Sequence, residues 1–324
     1  MDYQVDSDDE RSYIVETKNL TKKFGEEVAV DSMDMDIPKG AIFGFIGPSG
    51  CGKTTTVRLL TGIYQPTSGE VSVLGKIPGN FSNSDRENIG YLLQQFVLYP
   101  DLTVWENLNF AASLYGVSVF RKKLLNELLD FVELSEHKDK VSRLLSGGMK
   151  RRLSLAASLV HTPELLLLDE PTAGIDPILR RKFWDYFKEL QADGRTLVVT
   201  TQYVGEAAYC DLVGIMSDGK LLMVDSPEGL RRRAYDGEII GISTEEIISY
   251  EQRKHFENLP FTKGKVSIIN DREIEVIVDE ADEAIPNLIE ICQQQGLSVR
   301  KIDKKTPPFD DVFVRLIEMQ VENA

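Results

Sequence analysis

The chain has 324 residues, which is too long for one small hydrophobic core and favours two domains. Its 52 acidic residues outnumber its 37 basic residues, and the formal charge of −15 disfavours both nucleic acid and anionic lipid as partners. The hydrophobic fraction of 42% is ordinary for a soluble globular protein. No apolar run approaches the roughly 18 residues of a membrane span, so we expect no direct membrane insertion. The three scattered cysteines have no metal-ligand spacing and are typical of a reducing cytosol.

The first part of the chain combines an acidic start with short β-like runs. Residues 1–12 are mostly acidic and polar, which predicts a disordered tail. From residue 13 to about residue 70, short apolar runs alternate with turns. These runs predict a β-rich beginning of a first domain, for which we expect residues 13–236.

A glycine-rich loop joins the apolar run at residues 41–46 to a helix-like segment. It reads Gly47-Pro48-Ser49-Gly50-Cys51-Gly52-Lys53-Thr54-Thr55 and fits the phosphate-loop pattern G-x-x-x-x-G-K-[ST]. Glycines let consecutive N–H groups point at phosphate oxygens, and the helix start adds partial positive charge. We then expect Lys53 to reach the β- and γ-phosphates and the Thr54 hydroxyl to bind Mg²⁺. The order strand, loop, helix favours a nucleoside triphosphate site over a glycine-rich turn that happens to carry a lysine.

Residues 84–160 are mostly helical in pattern and are expected to form a helical subdomain. Near its end, Ser146-Gly147-Gly148 stands just before a basic helix. A hydroxyl and free N–H groups at a helix start can bind an anion. A chain with one phosphate loop has no internal use for a second phosphate cradle, so we expect this one to close over the γ-phosphate held by another subunit. A capped helix start explains Ser146 but not the two glycines.

Two solidly apolar runs follow, at residues 165–168 and 196–200, with a helix-like segment between them. Strands that are apolar on both faces and alternate with helices predict a parallel sheet covered on both sides. The first run ends in Asp169 and Glu170 at the carboxyl edge of the sheet, where ligands bind. Beside a phosphate loop, Asp169 is expected to hold Mg²⁺ through water and Glu170 to polarise the attacking water. Taken alone, the same segment fits a buried strand followed by a solvated acidic turn.

From residue 237 to residue 324 the pattern predicts a second domain. Strand, helix, strand, strand, helix and strand are expected in that order at residues 238–243, 245–257, 265–269, 273–278, 281–295 and 297–302. This is the β-α-β-β-α-β order of the ferredoxin-like arrangement. A final helix is expected at residues 309–319.

These motifs together resemble the ATP-binding subunit of an ABC transporter. The phosphate loop, the LSGG-type motif, the acidic strand end and Gly174-Ile175-Asp176-Pro177, which is similar to the family's D-loop, occur in the family's order. The resemblance implies a P-loop ATPase fold, with a mostly parallel sheet, an antiparallel β subdomain and a helical subdomain. It also implies that Asp176 lies at the nucleotide and that Gln94 contacts Mg²⁺ and the attacking water. For Phe24 it implies stacking on adenine, although a core position explains this residue equally well.

The chain departs from the family pattern at two positions. Met149 ends the LSGG-type motif where the family has glutamine, and this change leaves the serine and glycines intact. Gln202 stands where the family usually has a switch histidine. Its amide can donate a hydrogen bond to the γ-phosphate but cannot accept and pass a proton near neutral pH. We therefore expect Glu170 to carry the role of the base, with Lys53, Gln94 and Gln202 as the other catalytic residues.

Residues 64–69 and the extension after residue 237 resemble the subgroup paired with ABC-2-type membrane subunits, which includes drug exporters. The resemblance implies ATP and Mg²⁺ as cofactors, a second ATP-binding subunit in a homodimer, and an ABC-2-type permease as partner. It further implies a position on the inner face of the cell membrane, reached through the permease. The alternative is a soluble ABC ATPase with a regulatory role outside transport. One acting on nucleic acid would be expected to have two ATP cassettes or a basic face, and the sequence has neither.

Overall fold

The computed structural model describes residues 12–95 and 97–322, and these divide between Val224 and Asp225 into two compact units. The predicted disordered tail lies outside the described residues, except for Ser12. Within the described part of the chain, no helix combines the length and the apolarity needed to cross a membrane.

The first unit contains nine strands and six α-helices among its described residues. The strands are β1 (Tyr13–Phe24), β2 (Glu27–Pro38), β3 (Ile42–Ile46), β4 (Ser68–Val73), β5 (Ile89–Leu92), β6 (Leu165–Asp169), β7 (Thr196–Thr201), β8 (Leu212–Ser217) and β9 (Lys220–Asp225). The helices are α1 (Lys53–Leu60), α2 (Asn83–Arg86), α3 (Val104–Leu114), α4 (Lys122–Phe131), α5 (Gly147–Leu159) and α6 (Pro177–Ala192).

These strands form two sheets. One is antiparallel with the order β2-β1-β4, and the other has six strands in the order β5-β6-β7-β3-β8-β9. In the larger sheet β5, β6, β7, β3 and β8 pair in parallel. Its central strands β3, β6 and β7 are buried along their whole length, as expected for strands with both faces covered. The predicted α/β fold with a mostly parallel sheet and an antiparallel β subdomain is therefore confirmed.

The parallel pairing brings three strand ends together. Ile46 at the end of β3 pairs with Thr201 at the end of β7, and Asp169 at the end of β6 pairs with Thr200. The loops that follow β3, β6 and β7 therefore leave the sheet side by side at one edge. Open α/β sheets bind ligands at this carboxyl edge.

The second unit contains α7 (Pro227–Tyr235), β10 (Glu238–Thr244), α8 (Tyr250–Glu257), β11 (Thr262–Asn270), β12 (Glu273–Val278), α9 (Ala281–Gln294), β13 (Val299–Lys305) and α10 (Phe309–Glu322). From β10 to β13 the elements follow the β-α-β-β-α-β order, and the antiparallel sheet has the order β11-β12-β10-β13. Its core is formed by aliphatic side chains of the sheet together with Phe256 and Leu288.

Helix α7 belongs to this second unit, so the division in the structure lies between Val224 and Asp225, one helix earlier than the boundary at residues 236 and 237 drawn from the sequence. The physical reason is that α7 packs against α10 and β10 and also forms ion pairs within the unit. Arg232 of α7 donates to Glu238 at 2.7 Å and to Glu280 at 2.5 Å. These contacts attach the helix to the start of β10 and to the start of α9.

Candidate nucleotide-binding site

The phosphate loop follows β3 and ends at α1, and steric contacts explain why two of its positions are glycine. A Cβ atom at Gly47 would lie 2.2 Å from a backbone carbonyl oxygen. At Gly52, which has φ of +106°, a Cβ atom would lie 2.4 Å from another carbonyl oxygen. The ammonium of Lys53 lies within the loop and donates to the carbonyls of Gly47 at 2.7 Å and of Pro48 at 2.9 Å. The loop is thus a closely packed turn with its one lysine folded over it.

Asp169 at the end of β6 is fully buried beside this loop. Its Oδ1 atom accepts hydrogen bonds from the hydroxyl of Thr54 at 3.1 Å and from the hydroxyl of Thr200 at 2.6 Å. Its Oδ2 atom is also buried, but it accepts no hydrogen bond from the described residues. A buried carboxylate oxygen without a partner is costly, so this atom is available for a ligand.

Glu170 has a left-handed backbone with φ of +52°. Two contacts to one residue hold it there, because its N–H donates to both the carbonyl and the hydroxyl of Thr200, each at 3.0 Å. The side-chain amide of Gln94 lies 3.5 Å from its carboxylate. The structure therefore brings Gln94, Asp169 and Glu170 to one place.

Gln202 follows β7 and lies beside the phosphate loop. Its side-chain oxygen is 3.4 Å from the hydroxyl of Ser49, which donates to it. A side chain in this position can reach a group bound in the loop.

Phe24 ends β1 in the antiparallel sheet and is 44% exposed, which argues against the core alternative. Its ring makes an edge contact with Tyr64 at 5.3 Å between centroids, and the ammonium of Lys22 lies 5.1 Å from its centroid. An exposed ring with this support is suited to stacking, and its adenine contact stays a prediction.

The LSGG-type motif forms the start of α5. Ser146 is the N-cap residue, and its hydroxyl accepts from the N–H of Met149 at 3.2 Å. A Cβ atom at Gly147 would meet no described atom within 4 Å, and one at Gly148 would lie 3.3 Å from the carbonyl oxygen of Gly174. The helix start therefore presents an open backbone surface next to the D-loop-like segment.

Asp176 is the N-cap of α6, a role that the sequence analysis did not assign. Its carboxylate accepts from the N–H groups of Leu179 at 3.0 Å and of Ile178 at 3.1 Å. The hydrogen bond from Leu179, helped by that from Ile178, lowers the pKa of Asp176. The motif S/T/D/N before a helix with proline at its first position could have indicated this cap.

Two groups of residues result. Lys53, Thr54, Gln94, Asp169, Glu170 and Gln202 gather where β3, β5, β6 and β7 end, whereas Ser146, Gly147, Gly148 and Asp176 lie at the starts of α5 and α6. The sequence analysis missed Thr200, which contacts both acids of the first group. The polar residue that ends the apolar run at residues 196–200 was the signal that could have identified it.

Comparisons with known proteins agree with this geometry. A sequence model of the family described as ABC transporter matches residues 30–173. The probable multidrug ABC transporter ATP-binding protein YbhF of Escherichia coli strain K12 is 38% identical over 226 residues, which are 69% of this chain and 39% of that protein. The chain therefore spans about two fifths of YbhF.

A second relative is similar over nearly its full length. The Nod factor export ATP-binding protein I of Rhizobium sp. strain N33 is 31% identical over 313 residues, which are 95% of this chain and 98% of that protein. Among solved structures, the ATP-binding cassette MJ0796, a dimer in a post-hydrolysis state bound to ADP and Pi, is 29% identical with a TM-score of 0.60. The matched region covers 65% of this chain and 98% of the MJ0796 chain.

Proposed function

Since this chain belongs to the ABC transporter ATP-binding family, we propose that it hydrolyses ATP to drive export through a separate membrane subunit. The observation that carries the proposal is the pair Asp169–Glu170 at the end of a buried strand, held beside the phosphate loop by Thr54 and Thr200. A phosphate loop alone would support only nucleotide binding. The added acids supply what a hydrolysis site requires.

The residues present fit a magnesium ion. Thr54 and Asp169 offer oxygen atoms next to each other, Gln94 offers a third, and Mg²⁺ prefers such ligands. Among the described residues no group of three or more His, Cys, Asp or Glu side chains could hold a metal ion, so phosphate oxygens and water would complete the coordination. When bound, Mg²⁺ would neutralise charge on the phosphate oxygens.

Four side chains have separate roles in the proposed hydrolysis. Lys53 would move from the loop carbonyls to the β- and γ-phosphates, where its charge offsets the charge that develops during transfer. Glu170 would take the proton of the attacking water, and Gln94, 3.5 Å away, would help to orient that water. Gln202 would donate an amide hydrogen bond to the γ-phosphate without exchanging a proton.

The phosphate loop is half of a composite site in this proposal. Ser146, Gly147 and Gly148 offer a hydroxyl and N–H groups to the γ-phosphate bound by a second copy of the chain, with Asp176 close by. The dimeric state of the similar MJ0796 cassette supports this arrangement. Two ATP molecules would then be bound between two head-to-tail subunits.

We assign the contact with the permease to an exposed apolar surface on the helical subdomain, formed by Tyr99, Phe110 and Leu114. These side chains are 53%, 37% and 68% exposed, and the rings of Tyr99 and Phe110 are in edge contact at 4.9 Å. Phe110 and Leu114 lie one turn apart on the same face of α3. The occupant would be a cytoplasmic segment of an ABC-2-type permease, which would hold the chain at the inner face of the cell membrane.

The test is purification of the tagged full-length chain from membranes, followed by an ATPase assay. We expect a polytopic membrane protein to co-purify, and we expect Leu114→Asp to lose it while ATP hydrolysis by the chain continues. Glu170→Gln should lower kcat by about 10²- to 10⁴-fold with ATP binding retained. The matched control is Glu164→Gln, since Glu164 is an exposed acid just before β6. Near-normal hydrolysis by Glu170→Gln would contradict the assignment of the base, and absence of a membrane partner would favour the regulatory alternative.

A further inference from the structure

Arg151 lies in the second turn of α5, five residues after Ser146, and is 8% exposed. Its guanidinium donates to four backbone carbonyls in two separate segments. The contacts are Nη1 to Leu93 at 2.5 Å and to Gln94 at 3.0 Å, Nε to Glu170 at 3.2 Å, and Nη2 to Asp169. One side chain of α5 therefore joins the ends of the neighbouring strands β5 and β6.

Three of these carbonyls belong to the residues assigned to metal and water. The side chains of Gln94, Asp169 and Glu170 lie at the candidate site, and the backbone carbonyl of each accepts a hydrogen bond from Arg151. A shift of the guanidinium would therefore move the backbone of all three. The N–H of Glu170 is held by Thr200 of β7, and its carbonyl is held by Arg151 of α5.

The chemistry favours arginine over other basic residues. A planar guanidinium has five N–H donors in a fixed fork, whereas an ammonium is a point charge on a flexible stem. Burial is the largest influence on the pKa of Arg151 and lowers it, while the nearby charges of Asp169 and Glu170 act to raise it. Removal of the side chain would take a donor from the buried carbonyl of Asp169 and from the partly buried carbonyls of Leu93, Gln94 and Glu170.

We propose that Arg151 is a positioning residue that couples the two nucleotide sites of the dimer, because it fixes the catalytic residues of its own subunit to the helix that offers Ser146–Gly148 to the second subunit. This inference rests on the composite site of the proposed function. Closure of the cradle on one ATP would be transmitted by α5 to the carbonyls of Gln94, Asp169 and Glu170 at the other. For ATP affinity, linkage then requires that the second site influence the first by the same factor.

The first experiment compares Arg151→Gln, Arg151→Lys and Arg152→Gln in the full-length chain. Arg152 is a matched control, since it donates to the carbonyls of Val132 and Glu133 within the helical subdomain. A misplacement of about 1 Å costs on the order of 100-fold in rate, so Arg151→Gln should lower kcat by about that factor with ATP affinity changed much less. Arg151→Lys should also have a lowered kcat, because lysine lacks the forked N–H donors of the guanidinium. Equal loss with Arg152→Gln, or full activity of Arg151→Lys, would overturn the proposal.

The second experiment uses mixed dimers isolated through two different tags. One subunit carries Glu170→Gln, so that only the other subunit's site hydrolyses ATP. Arg151→Gln is then placed either in the hydrolysing subunit or in the Glu170→Gln subunit, and Arg152→Gln is tested in the same two positions. The thermal midpoint of each dimer is measured alongside its ATPase rate.

We expect Arg151→Gln to lower kcat by at least about 10-fold in both placements. A loss confined to the hydrolysing subunit would overturn the coupling but leave the composite site standing. If no mixed dimer can be isolated, the composite site and the coupling both fail. If Arg151 acts in folding alone, Arg151→Gln should lower the thermal midpoint in either placement, but it should not lower the ATPase rate of the dimer when it is placed in the Glu170→Gln subunit. This result would also contradict the inference.

Discussion

Thr200 is the residue through which the buried strand β7 orients both acids of the site. Its hydroxyl donates to Asp169 at 2.6 Å and accepts from the N–H of Glu170 at 3.0 Å. Thr200→Val preserves the shape of this fully buried side chain, so it creates no cavity. It removes a hydrogen bond to a charged group, which is worth about 1.5–3 kcal/mol. The N–H of Glu170 keeps its second acceptor, the carbonyl of residue 200.

In a unit of this size, each kcal/mol corresponds to about 2–4 °C in the thermal midpoint, so Thr200→Val should lower it by about 3–12 °C. The freed carboxylate of Asp169 should also lower kcat by about 10- to 100-fold. Calorimetry and an ATPase assay at saturating ATP measure the two effects. Thr196→Val is the control, because its hydroxyl accepts from the N–H of Gly40 at the other end of β7. A Thr200→Val protein with unchanged midpoint and unchanged kcat would refute the reasoning.

Three further predictions concern other parts of the chain. Gln202→His should introduce a step near pH 6.5 into the pH–rate profile of ATP hydrolysis, since imidazole titrates there and the wild-type amide does not. Phe24→Ala should raise the KM for ATP by about 10-fold at constant kcat, because one stacked base is worth about 1–3 kcal/mol. Although burial acts to raise it, hydrogen bonds from Ala281 N–H, Lys304 and Arg232 lower the pKa of Glu238 from 4.5 to about 2. The stability that Glu238 contributes is therefore present above pH 4.5 and is lost as the pH falls toward 2, and Glu238→Gln should remove that pH dependence from unfolding of the second unit.

Each of these has a result that would count against it. An unchanged pH–rate profile in Gln202→His would mean that residue 202 does not act at the γ-phosphate. A fall in kcat with constant KM would exclude adenine stacking by Phe24. If Glu238→Gln unfolds with the wild-type dependence between pH 4.5 and pH 2, the hydrogen bonds to Glu238 do not stabilise its charged form.

Sequence patterns predicted the elements well where the local signal is strong. Strand β12 occupies the predicted residues 273–278, because alternating apolar residues and a turn on its N-terminal side define it. The helix predicted at residues 245–257 begins instead at Tyr250. Ser249 and Gln252 form a capping box there, and the carboxylate of Glu246 accepts from Ser298 instead of lying on a helix. This last contact joins residues far apart in sequence, so periodicity could not predict it.

The residues of the candidate site also divide into those predicted by local patterns and those that depend on distant contacts. Lys53, Asp169 and Glu170 follow from motifs, because a phosphate loop and an acidic strand end are local patterns. Thr200 depends on the register of β6 against β7, which pairs it with Asp169. Arg151 depends on the packing of α5 over the ends of β5 and β6, and it binds carbonyls that carry no sequence signature. Contacts of this kind require the fold to be known.

The central claim is a site that two subunits share, and complementation between two inactive variants tests it most directly. Lys53→Ala disables the phosphate loop, and Ser146→Arg blocks the cradle. In a mixed dimer of these two variants, both defects fall on one composite site and the other site is intact. The account predicts measurable ATP hydrolysis, at most roughly half the wild-type rate, because one of the two sites is intact. Placing both changes in one subunit beside a wild-type subunit should leave each site with one defect and no activity, and the reverse outcome in the two dimers would contradict the account.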